Sequence, residues 1–340
     1  MIKSFSFSSR KVDYYFDASF SHIEKLAPKS NTVIITDENV FASHKSKFKG
    51  WQTIVLKAGE QYKNQATVDH VIAQLLKFGA DRKTTLIGVG GGVVTDITGY
   101  VAGIYMRGIN FGFVPTSLLA MVDASIGGKN GIDVGVYKNM VGLIRQPSFL
   151  LFDPSLLRSL PKAEWQNGFA EIIKHACIKD AGMFRLLEQN TLAGFQRNKT
   201  LLSALIKRNV LIKTNVVVSD EFEQGERKLL NFGHTLGHAI ENMYELSHGQ
   251  AISIGMHYAS LISEELTGFK QTEKLDAMLE KFGLPVQMHF DSAKAFGILK
   301  KDKKKDKDNI SYILLDKIGK GVIRTMRFAQ LEEIISRRQG

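Results

Sequence analysis

The chain has 340 residues, of which 44% are hydrophobic and 23% are charged, and these are the proportions of a globular protein rather than a disordered one. That length suits two domains of ordinary size or one large α/β domain. No apolar run approaches the roughly 20 residues that span a bilayer, and the first residues lack the basic and then apolar pattern of a secretory signal. A single cysteine excludes an internal disulfide. Together these features predict a cytoplasmic protein without a membrane partner.

The net charge of +11 admits two kinds of partner, nucleic acid or a small polyanionic substrate. The one dense run of lysines, residues 300–308, is interleaved with aspartates, which dilute the field that a phosphate-tracking arm needs. The chain shows neither helix-turn-helix spacing, nor zinc-finger cysteines, nor an aromatic RNA-binding signature. We therefore expect an anionic small molecule and no nucleic acid.

Residues 1–155 alternate short apolar runs with helical stretches, which predicts an α/β domain with a parallel sheet. The expected strands are 32–36, 53–56, 85–89 and 111–114, and the expected helix between the second and third is 65–78. Residues 156–340 carry longer helical patterns and predict an all-α domain. The expected helices are 163–179, 182–189, 201–219, 229–244 and 251–266, with one strand-like exception at 310–315.

Three glycines, Gly90-Gly91-Gly92, follow the expected strand 85–89 directly. A strand that ends in glycines before a helix lets backbone N–H groups approach a pyrophosphate at the helix N-terminus. The run is not the G-x-G-x-x-G fingerprint, and a tight strand-to-helix turn without a ligand explains it as well.

Two histidines, His234 and His238, are four residues apart and would share one face of a helix, and His248 follows ten residues later. Upstream, Glu171 and Lys174 stand at i and i+3 of another expected helix. One glutamate and two histidines with an open position form the ligand set of a catalytic zinc ion. The pattern lacks the H-E-x-x-H glutamate of metalloproteases, and a pair of core or surface histidines is the alternative.

Two further clusters are polar. Small residues with Lys129, Lys138 and Asn139 suit a loop that wraps a phosphate, although a flexible solvated loop has the same composition. Lys213, Arg227 and their neighbours are too polar for a stripe that faces the core, and a charged helical face is the alternative.

Taken together and in order, these motifs resemble the 3-dehydroquinate synthases, a family of sugar-phosphate cyclases in aromatic amino-acid biosynthesis. The resemblance runs from about residue 37 to residue 319. It is carried by Gly90–Val94 with Asp96, by 105–108, 114–120, 127–129 and 138–140, by Glu171 with Lys174, by 231–234 with 237–238, and by His248-Gly249.

The resemblance implies an NAD-binding α/β domain at 1–155, a helical metal- and substrate-binding domain at 156–340, and an active site in the cleft between them. The implied metal, zinc or cobalt, would be held by Glu171, His234 and His248. The implied NAD contacts are Asp37, Asn39, Glu60, Lys63, Gly91, Gly92, Val93, Val94, Asp96, Thr116, Ser117, Lys129 and Lys138.

The implied reaction converts 3-deoxy-arabino-heptulosonate 7-phosphate, an acidic sugar phosphate, into 3-dehydroquinate and phosphate in the shikimate pathway. The residues that the resemblance assigns to the substrate are Asp123, Lys129, Asn139, Lys174, Lys213, Arg227, Asn231, His238 and a lysine near Lys303. It also implies a homodimer, in which Arg107 reaches into the site of the neighbouring subunit.

Three positions depart from the family pattern. Ser117 replaces a more usual threonine, Tyr137 stands where a glycine often precedes the lysine–asparagine pair, and Gln250 replaces a glutamate after His248-Gly249. We expect the last change to alter the basicity of His248. The alternatives to a dehydroquinate synthase are a valiolone- or deoxy-inosose-forming cyclase and a metal-dependent polyol dehydrogenase.

Overall fold

The computed structural model describes residues 1–135, 137–302 and 308–339. The strands are β1 (Ile2–Ser6), β2 (Lys11–Phe16), β3 (Thr32–Asp37), β4 (Gln52–Leu56), β5 (Thr85–Gly90), β6 (Asn110–Pro115), β7 (Lys129–Val134), β8 (Tyr137–Ile144), β9 (Phe149–Phe152), β10 (Asn309–Lys317) and β11 (Lys320–Arg327). The helices are α1 (Ile23–Leu26), α2 (Glu38–Ser43), α3 (Gln65–Lys77), α4 (Gly92–Ile104), α5 (Lys162–Lys179), α6 (Ala181–Glu188), α7 (Leu192–Arg197), α8 (Lys199–Ser219), α9 (His234–Met243), α10 (His248–Thr267), α11 (Thr272–Lys281), α12 (Ser292–Asp302) and α13 (Phe328–Gln339).

The chain forms two compact units. The first contains residues 1–165 and 199–222, and the second contains residues 166–198 and 223–340. The compact units divide the chain inside α5 and again on either side of α8. The predicted boundary at 155/156 refers to a division of functions between two domains, and it stays a prediction.

The first unit is built on a seven-stranded sheet in the order β1-β2-β9-β6-β5-β3-β4. All neighbouring strands are parallel except β1 and β2, which form an antiparallel pair at one edge. Strands β3, β5, β6 and β9 are buried along almost their whole length, as expected for parallel strands that are covered on both faces. The four predicted strands and the helix 65–78 are confirmed within two residues at each end. Strands β1, β2 and β9 were not predicted.

A hairpin stands where the sequence predicted a phosphate-wrapping loop. Residues Ala120–Ala124 form a π-helical turn, and β7 and β8 then pair antiparallel, with Gly131 opposite Gly142. The prediction of a loop is wrong because the glycines that suggested it face each other within the strand ladder. Asn130 and Ile132 are buried, so one face of β7 packs inward.

Helix α8 belongs to the first unit and not to the helical part of the chain. It contacts β1 and the turn Ala120–Ala124, and Thr214 Oγ1 lies 3.4 Å from the hydroxyl of the buried Tyr14. Beyond its end, the carboxylate of Glu221 accepts hydrogen bonds from Ser8 N and Gln146 Nε2, both at 2.8 Å. Residues 199–222 therefore complete the same core as the sheet.

The second unit is largely helical and carries one antiparallel hairpin, β10–β11. Its core includes the stacked rings of Phe169 and Phe282, whose centroids are 4.4 Å apart. The predicted strand 310–315 is confirmed within β10, while β11, α11, α12 and α13 were not predicted. An α/β part with a parallel sheet followed by a mainly helical part confirms the predicted fold class. None of the helices in the described ranges is long and apolar enough to cross a membrane.

The predicted helix 229–244 is interrupted. Residues Glu226–Asn231 form a 3-10 turn, Gly233 adopts the left-handed conformation at φ 78°, and α9 begins only at His234. The helical spacing of apolar residues gave no sign of this break, because a glycine inside a periodic pattern is compatible with a continuous helix. The consequence is that His234 is the first residue of a helix instead of a mid-helix residue.

Candidate active site

Glu171 lies on α5 and is fully buried. Its Oε2 forms an ion pair with the ammonium of Lys174, one helical turn away and also buried. Burial alone would raise the pKa of Glu171, but the Lys174 ammonium and the hydrogen bond from His248 outweigh it and hold that pKa well below its usual range. Glu171 is therefore a permanently ionised carboxylate inside the second unit.

Two glycines determine how closely three helices approach around this carboxylate. Gly233 stands just before α9, and a Cβ there would lie 2.8 Å from Ile252 O of α10. Gly249 is the second residue of α10, and a Cβ there would lie 2.7 Å from Asn167 Cα of α5. Gly249 N also donates to Asn167 Oδ1 at 3.0 Å. The first residues of α9 and α10, His234 and His248, are thus brought next to Glu171.

The three predicted metal ligands meet in the structure. Nε2 of His234 lies 3.4 Å from Glu171 Oε1, and Nε2 of His248 lies 3.1 Å from the same oxygen. One ligand atom from each residue falls within 4.8 Å of the others. Two atoms that each bind a tetrahedral zinc ion at about 2.0–2.1 Å are about 3.3–3.4 Å apart, close to both measured separations. The geometry therefore fits a divalent ion.

The protonation state of His234 also fits a divalent ion. Nδ1 of His234 lies 3.2 Å from the carbonyl of Phe232, and since a carbonyl can only accept, Nδ1 carries the proton. Burial and the charge of Lys174 lower the pKa of His234, which leaves a neutral ring with the Nε2 lone pair towards the Glu171 carboxylate. Two lone pairs that face each other repel unless a cation lies between them.

His248 behaves differently from His234. Burial would lower its pKa, but the hydrogen bond to Glu171 and the negative charges of Glu171 and Glu241 raise it to about 9. In the metal-free protein at neutral pH this ring is therefore protonated and donates to Glu171. A metal ion must displace that proton before Nε2 can bind it.

His238 lies one turn beyond His234 on α9 and is exposed. Its ring centroid is 5.1 Å from that of His234 and 6.2 Å from that of His248. An accessible imidazole beside a metal centre can exchange protons with a molecule bound there. His238 therefore lies beside the three predicted metal ligands, and its role in proton transfer stays a prediction.

The other predicted substrate residues of the second unit are Lys174, Arg227 and Asn231. Arg227 is buried within the 3-10 turn that precedes α9. Asn231 Nδ2 donates to Glu223 Oε1 at 2.6 Å, and Glu223 itself has a left-handed backbone at φ 60°. The predicted lysine near Lys303 lies outside the described residues.

In the first unit, several of the predicted NAD residues lie at the carboxyl ends of parallel strands. Gly91 caps α4 directly after β5. Thr116, which follows the end of β6, donates a hydrogen bond from its backbone N to Gly90 O at 2.9 Å. A Cβ on Gly91 would meet only the side chain of Ser117, with Oγ at 3.5 Å and Cβ at 3.9 Å. The protein's own packing therefore does not require a glycine there, which favours the close approach of a ligand as the reason. Gly92, Val93 and Val94 form the first turn of α4, whose N–H groups face away from the helix.

Acidic and basic groups line the same edge. Asp37 ends β3 and accepts hydrogen bonds from Asn39 N and Val40 N, which caps α2, and burial raises its pKa. Lys63 Nζ lies 2.5 Å from Asp96 Oδ2 and 3.9 Å from Glu60 Oε1. Burial raises the pKa of Asp96 to about 6 although Lys63 lowers it. Burial would lower the pKa of Lys63, but Asp96 and Glu60 outweigh it and raise that pKa.

Lys63, a predicted NAD residue, also contacts Asn139, a predicted substrate residue. Its Nζ donates to Asn139 Oδ1 at 2.6 Å, and Asn139 N, in a left-handed conformation at φ 56°, donates to Asp133 Oδ1. Lys129 and Lys138 lie on the same hairpin, β7–β8. Elsewhere in the unit, Lys213 Nζ lies 2.8 Å from Asp123 Oδ1 and donates to its backbone oxygen at 2.9 Å.

Arg107 is exposed in the 3-10 turn after α4, next to Met106, and both residues have positive φ, at 66° and 49°. Non-glycine residues rarely adopt this conformation without a reason in the surrounding structure.

The sequence interpretation missed two residues, Asp133 and Glu241, and gave Gln250 a role that its contacts do not support. Asp133 fixes the backbone of Asn139, and Glu241 places Oε2 3.8 Å from Nδ1 of His248. Gln250 does not face His248 as the sequence had suggested. It accepts a hydrogen bond from Ser247 N at 2.9 Å and forms a capping box with Ser247 at the start of α10. The pattern Ser-x-x-Gln could have indicated this role.

Sequence comparison identifies the family. The profile described as "3-dehydroquinate synthase N-terminal" matches residues 53–167, and the one described as "3-dehydroquinate synthase C-terminal" matches residues 168–305. A 3-dehydroquinate synthase of Thermodesulfovibrio yellowstonii is 44% identical over 78% of this chain and 76% of its own length. The chain belongs to the 3-dehydroquinate synthase family.

Solved structures with the same fold include relatives of this family. A 2-epi-5-epi-valiolone synthase from Streptomyces hygroscopicus, with NAD+ and Zn2+ bound, is 25% identical with a TM-score of 0.87 and covers 99% of this chain and 98% of its own. A 2-deoxy-scyllo-inosose synthase complexed with carbaglucose-6-phosphate, NAD+ and Co2+ is also 25% identical, with a TM-score of 0.83 and 99% coverage of both chains. Both have the fold of this chain, and the dehydroquinate synthases are more similar to it in sequence.

Proposed function

We propose that this chain is a 3-dehydroquinate synthase, which converts 3-deoxy-arabino-heptulosonate 7-phosphate into 3-dehydroquinate and phosphate with catalytic NAD and a divalent metal, zinc or cobalt. The observation that carries the proposal is the convergence of Glu171, His234 and His248 on one point with tetrahedral spacing. The family membership supports the substrate, since relatives of that name match most of the chain.

The proposed reaction begins with oxidation of an alcohol in the substrate. A bound divalent ion would polarise the oxygen of that alcohol and ease the loss of its proton. NAD would accept a hydride and return it later, so that no cofactor is consumed. The chain's own part in these steps is to hold the substrate and to move protons.

His238 is the proposed group for proton transfer at the alcohol, because it is exposed next to the metal ligands. Lys129 and Asn139 would bind the phosphate through ammonium and amide donors. Lys213 and Arg227 would hold the remaining polar groups, among them the carboxylate. Asp123 would orient Lys213, and Lys174 would maintain the charge of Glu171.

The proposed chemistry needs the phosphate-binding residues together with the metal ligands. Held in one pose, the ends of the opened substrate chain react at high effective molarity, which lowers the barrier to ring closure. Removing the phosphate-binding lysines should therefore abolish product formation while the second unit still binds the metal ion. Removing the metal ligands should abolish it while the first unit still binds NAD.

The proposal also covers assembly and location, as a cytoplasmic homodimer with Arg107 completing the partner's site. Large apolar side chains are exposed on β8 and at the end of α4, and these elements contact each other. They are Ile104, Met106, Tyr137, Met140, Val141 and Ile144. A group of exposed apolar side chains on neighbouring elements is typical of a protein interface. Cys177 is buried, and the chain contains no second cysteine, which suits a reducing compartment.

One assay separates the synthase from its alternatives. Purified protein receives the heptulosonate phosphate with NAD at a small fraction of the substrate concentration, and released phosphate and NADH absorbance are followed together. A synthase releases one phosphate per substrate over many turnovers with no lasting NADH, and a chelator stops it. A polyol dehydrogenase would form NADH mole for mole, and a valiolone- or inosose-type cyclase would prefer a neutral sugar phosphate. Either result would refute the proposal.

A further inference from the structure

A second carboxylate lies beside the proposed metal centre. Glu241 is on α9, two helical turns beyond His234, and its side chain is only 10% exposed. Its Oε2 lies 3.8 Å from Nδ1 of His248. The ring of His248 therefore stands between two carboxylates, with Nε2 towards Glu171 and Nδ1 towards Glu241.

The two histidines of the centre share one pattern. Each presents Nε2 to Glu171 Oε1, and each has an acceptor next to Nδ1: the carbonyl of Phe232 for His234 and the carboxylate of Glu241 for His248. An acceptor at Nδ1 fixes the tautomer in which Nε2 carries the lone pair. A charged acceptor also makes that lone pair a stronger donor to a cation.

We propose that Glu241 is a positioning residue, which fixes the orientation and tautomer of His248 and so strengthens metal binding by Glu171, His234 and His248. This inference rests on the proposed metal centre. The residue that follows His248-Gly249 does not fill the role, because the Gln250 side chain is held by Ser247 in the capping box. Glu241 supplies a negative charge on the side of the ring opposite to Glu171.

The neighbours of Glu241 also fit a different role, that of a metal ligand. His238, Glu241 and His248 can also bring one ligand atom each within 4.8 Å of the others, so Glu241 could itself bind a second ion. A positioning residue changes the affinity for one ion, whereas a ligand changes the number of ions bound. Metal stoichiometry therefore distinguishes the two roles.

The test measures metal affinity directly, without an activity assay. Metal-free wild type, Glu241→Ala and Glu241→Gln are titrated with Zn2+ against a competing chelator, and the visible spectrum of bound Co2+ is recorded for each. The control is Glu245→Ala, which removes the same charge from an exposed position beyond the end of α9.

We expect Glu241→Ala to raise the Kd for Zn2+ by about 10- to 100-fold, the usual loss when such an outer partner is removed. Glu241→Gln keeps an oxygen that accepts from Nδ1–H and has the same size, so its loss should be smaller and its Co2+ spectrum close to that of wild type. Glu245→Ala should bind Zn2+ as wild type does. All four proteins should bind one ion.

Two results would overturn the inference while leaving the proposed function intact. One is an unchanged Kd in Glu241→Ala. The other is a second ion in wild type that both Glu241 variants lose, which would make Glu241 a ligand. A wild-type protein that binds no divalent ion at all would overturn the metal centre together with the role of Glu241.

Discussion

The ammonium nitrogen of Lys63 lies 2.5 Å from Oδ2 of Asp96, so the 3-10 turn after β4 is tied to the first turns of α4. Burial raises the pKa of Asp96 to about 6 from an ordinary value of 3.8, and Lys63 opposes that rise. A carboxyl whose pKa is raised by folding contributes stability below its unfolded pKa and loses it as the pH rises through the folded pKa.

Replacing Lys63 by Met should therefore raise the pKa of Asp96 further and make the variant's stability depend on pH. The cost relative to wild type should be small near pH 4.5, where Asp96 is protonated, and should grow by about 2 kcal/mol at pH 8. Thermal unfolding of both proteins across this range measures it. The exposed Lys83→Met is the control and should show no such trend. A difference that shrinks as the pH rises would contradict the assigned pair.

The second prediction concerns the metal ligands. His234→Ala and His248→Ala should each contain less than a tenth of the wild-type zinc, because two protein ligands hold zinc far less tightly than three. Elemental analysis after equal exposure to Zn2+ measures this, and circular dichroism checks that the fold is kept. His289→Ala, at an exposed site of the same unit, should load fully. Full occupancy in His248→Ala would remove it from the ligand set.

The third prediction concerns Gly91. A Cβ at this position would meet only the Ser117 side chain, at 3.5 Å or more, so Gly91→Ala should fold normally. It should weaken NAD binding by roughly ten- to a hundredfold, since the loss of one or two charge-assisted hydrogen bonds costs about 1.5–3 kcal/mol, and Gly91→Val should weaken it more. Calorimetry with NAD measures the Kd. Gly297→Ala has open space around its new Cβ and serves as the control.

The fourth prediction concerns the substrate grip. Arg227→Ala should lower kcat/KM for the heptulosonate phosphate by roughly ten- to a hundredfold, the loss expected for a buried cation that binds an anionic group. The Kd values for NAD and Zn2+ should not change. Arg324→Ala, on the exposed side of β11, should keep full activity. Equal losses with acidic and neutral substrates would mean that Arg227 does not recognise the carboxylate.

The fifth prediction concerns assembly. Met140 on β8 is 62% exposed, within the apolar surface proposed as the subunit interface. Met140→Asp should weaken dimerisation by roughly tenfold or more, because the interface would then bury a carboxylate. Leu76→Asp is the matched control, since Leu76 is 63% exposed but lies on α3. Light scattering over a range of concentrations gives the mass of each, and a monomeric wild type would refute the interface.

Much of the sheet could be predicted from the sequence, because buried parallel strands have continuous apolar runs that few other structures require. Strands β1 and β2 alternate in burial along their length, but they escaped prediction because their polar residues suggest a surface segment. The hairpin β7–β8 escaped because opposed glycines resemble a loop.

In the candidate site, too, local relationships could be predicted from the sequence and long-range ones could not. Local spacing indicated that Glu171 and Lys174 share a helix face, and the ion pair agrees. Spacing could not indicate that His234 and His248 would each be the first residue of a helix, nor that Glu241 would face His248. These relationships depend on where helices end and how closely they pack, which a single sequence encodes only weakly.

Helix α8 belongs to the first unit, although residues 166–198, which precede it, belong to the second. The backbone therefore crosses between the units three times, and a single cut in the chain cannot separate one unit from the other. During synthesis, at about 5–20 residues per second, the sheet strands up to Phe152 emerge seconds before the helix that packs against β1. On the ribosome the first unit thus stays incomplete until residue 222 has emerged, and its folding depends on a segment that follows the start of its neighbour.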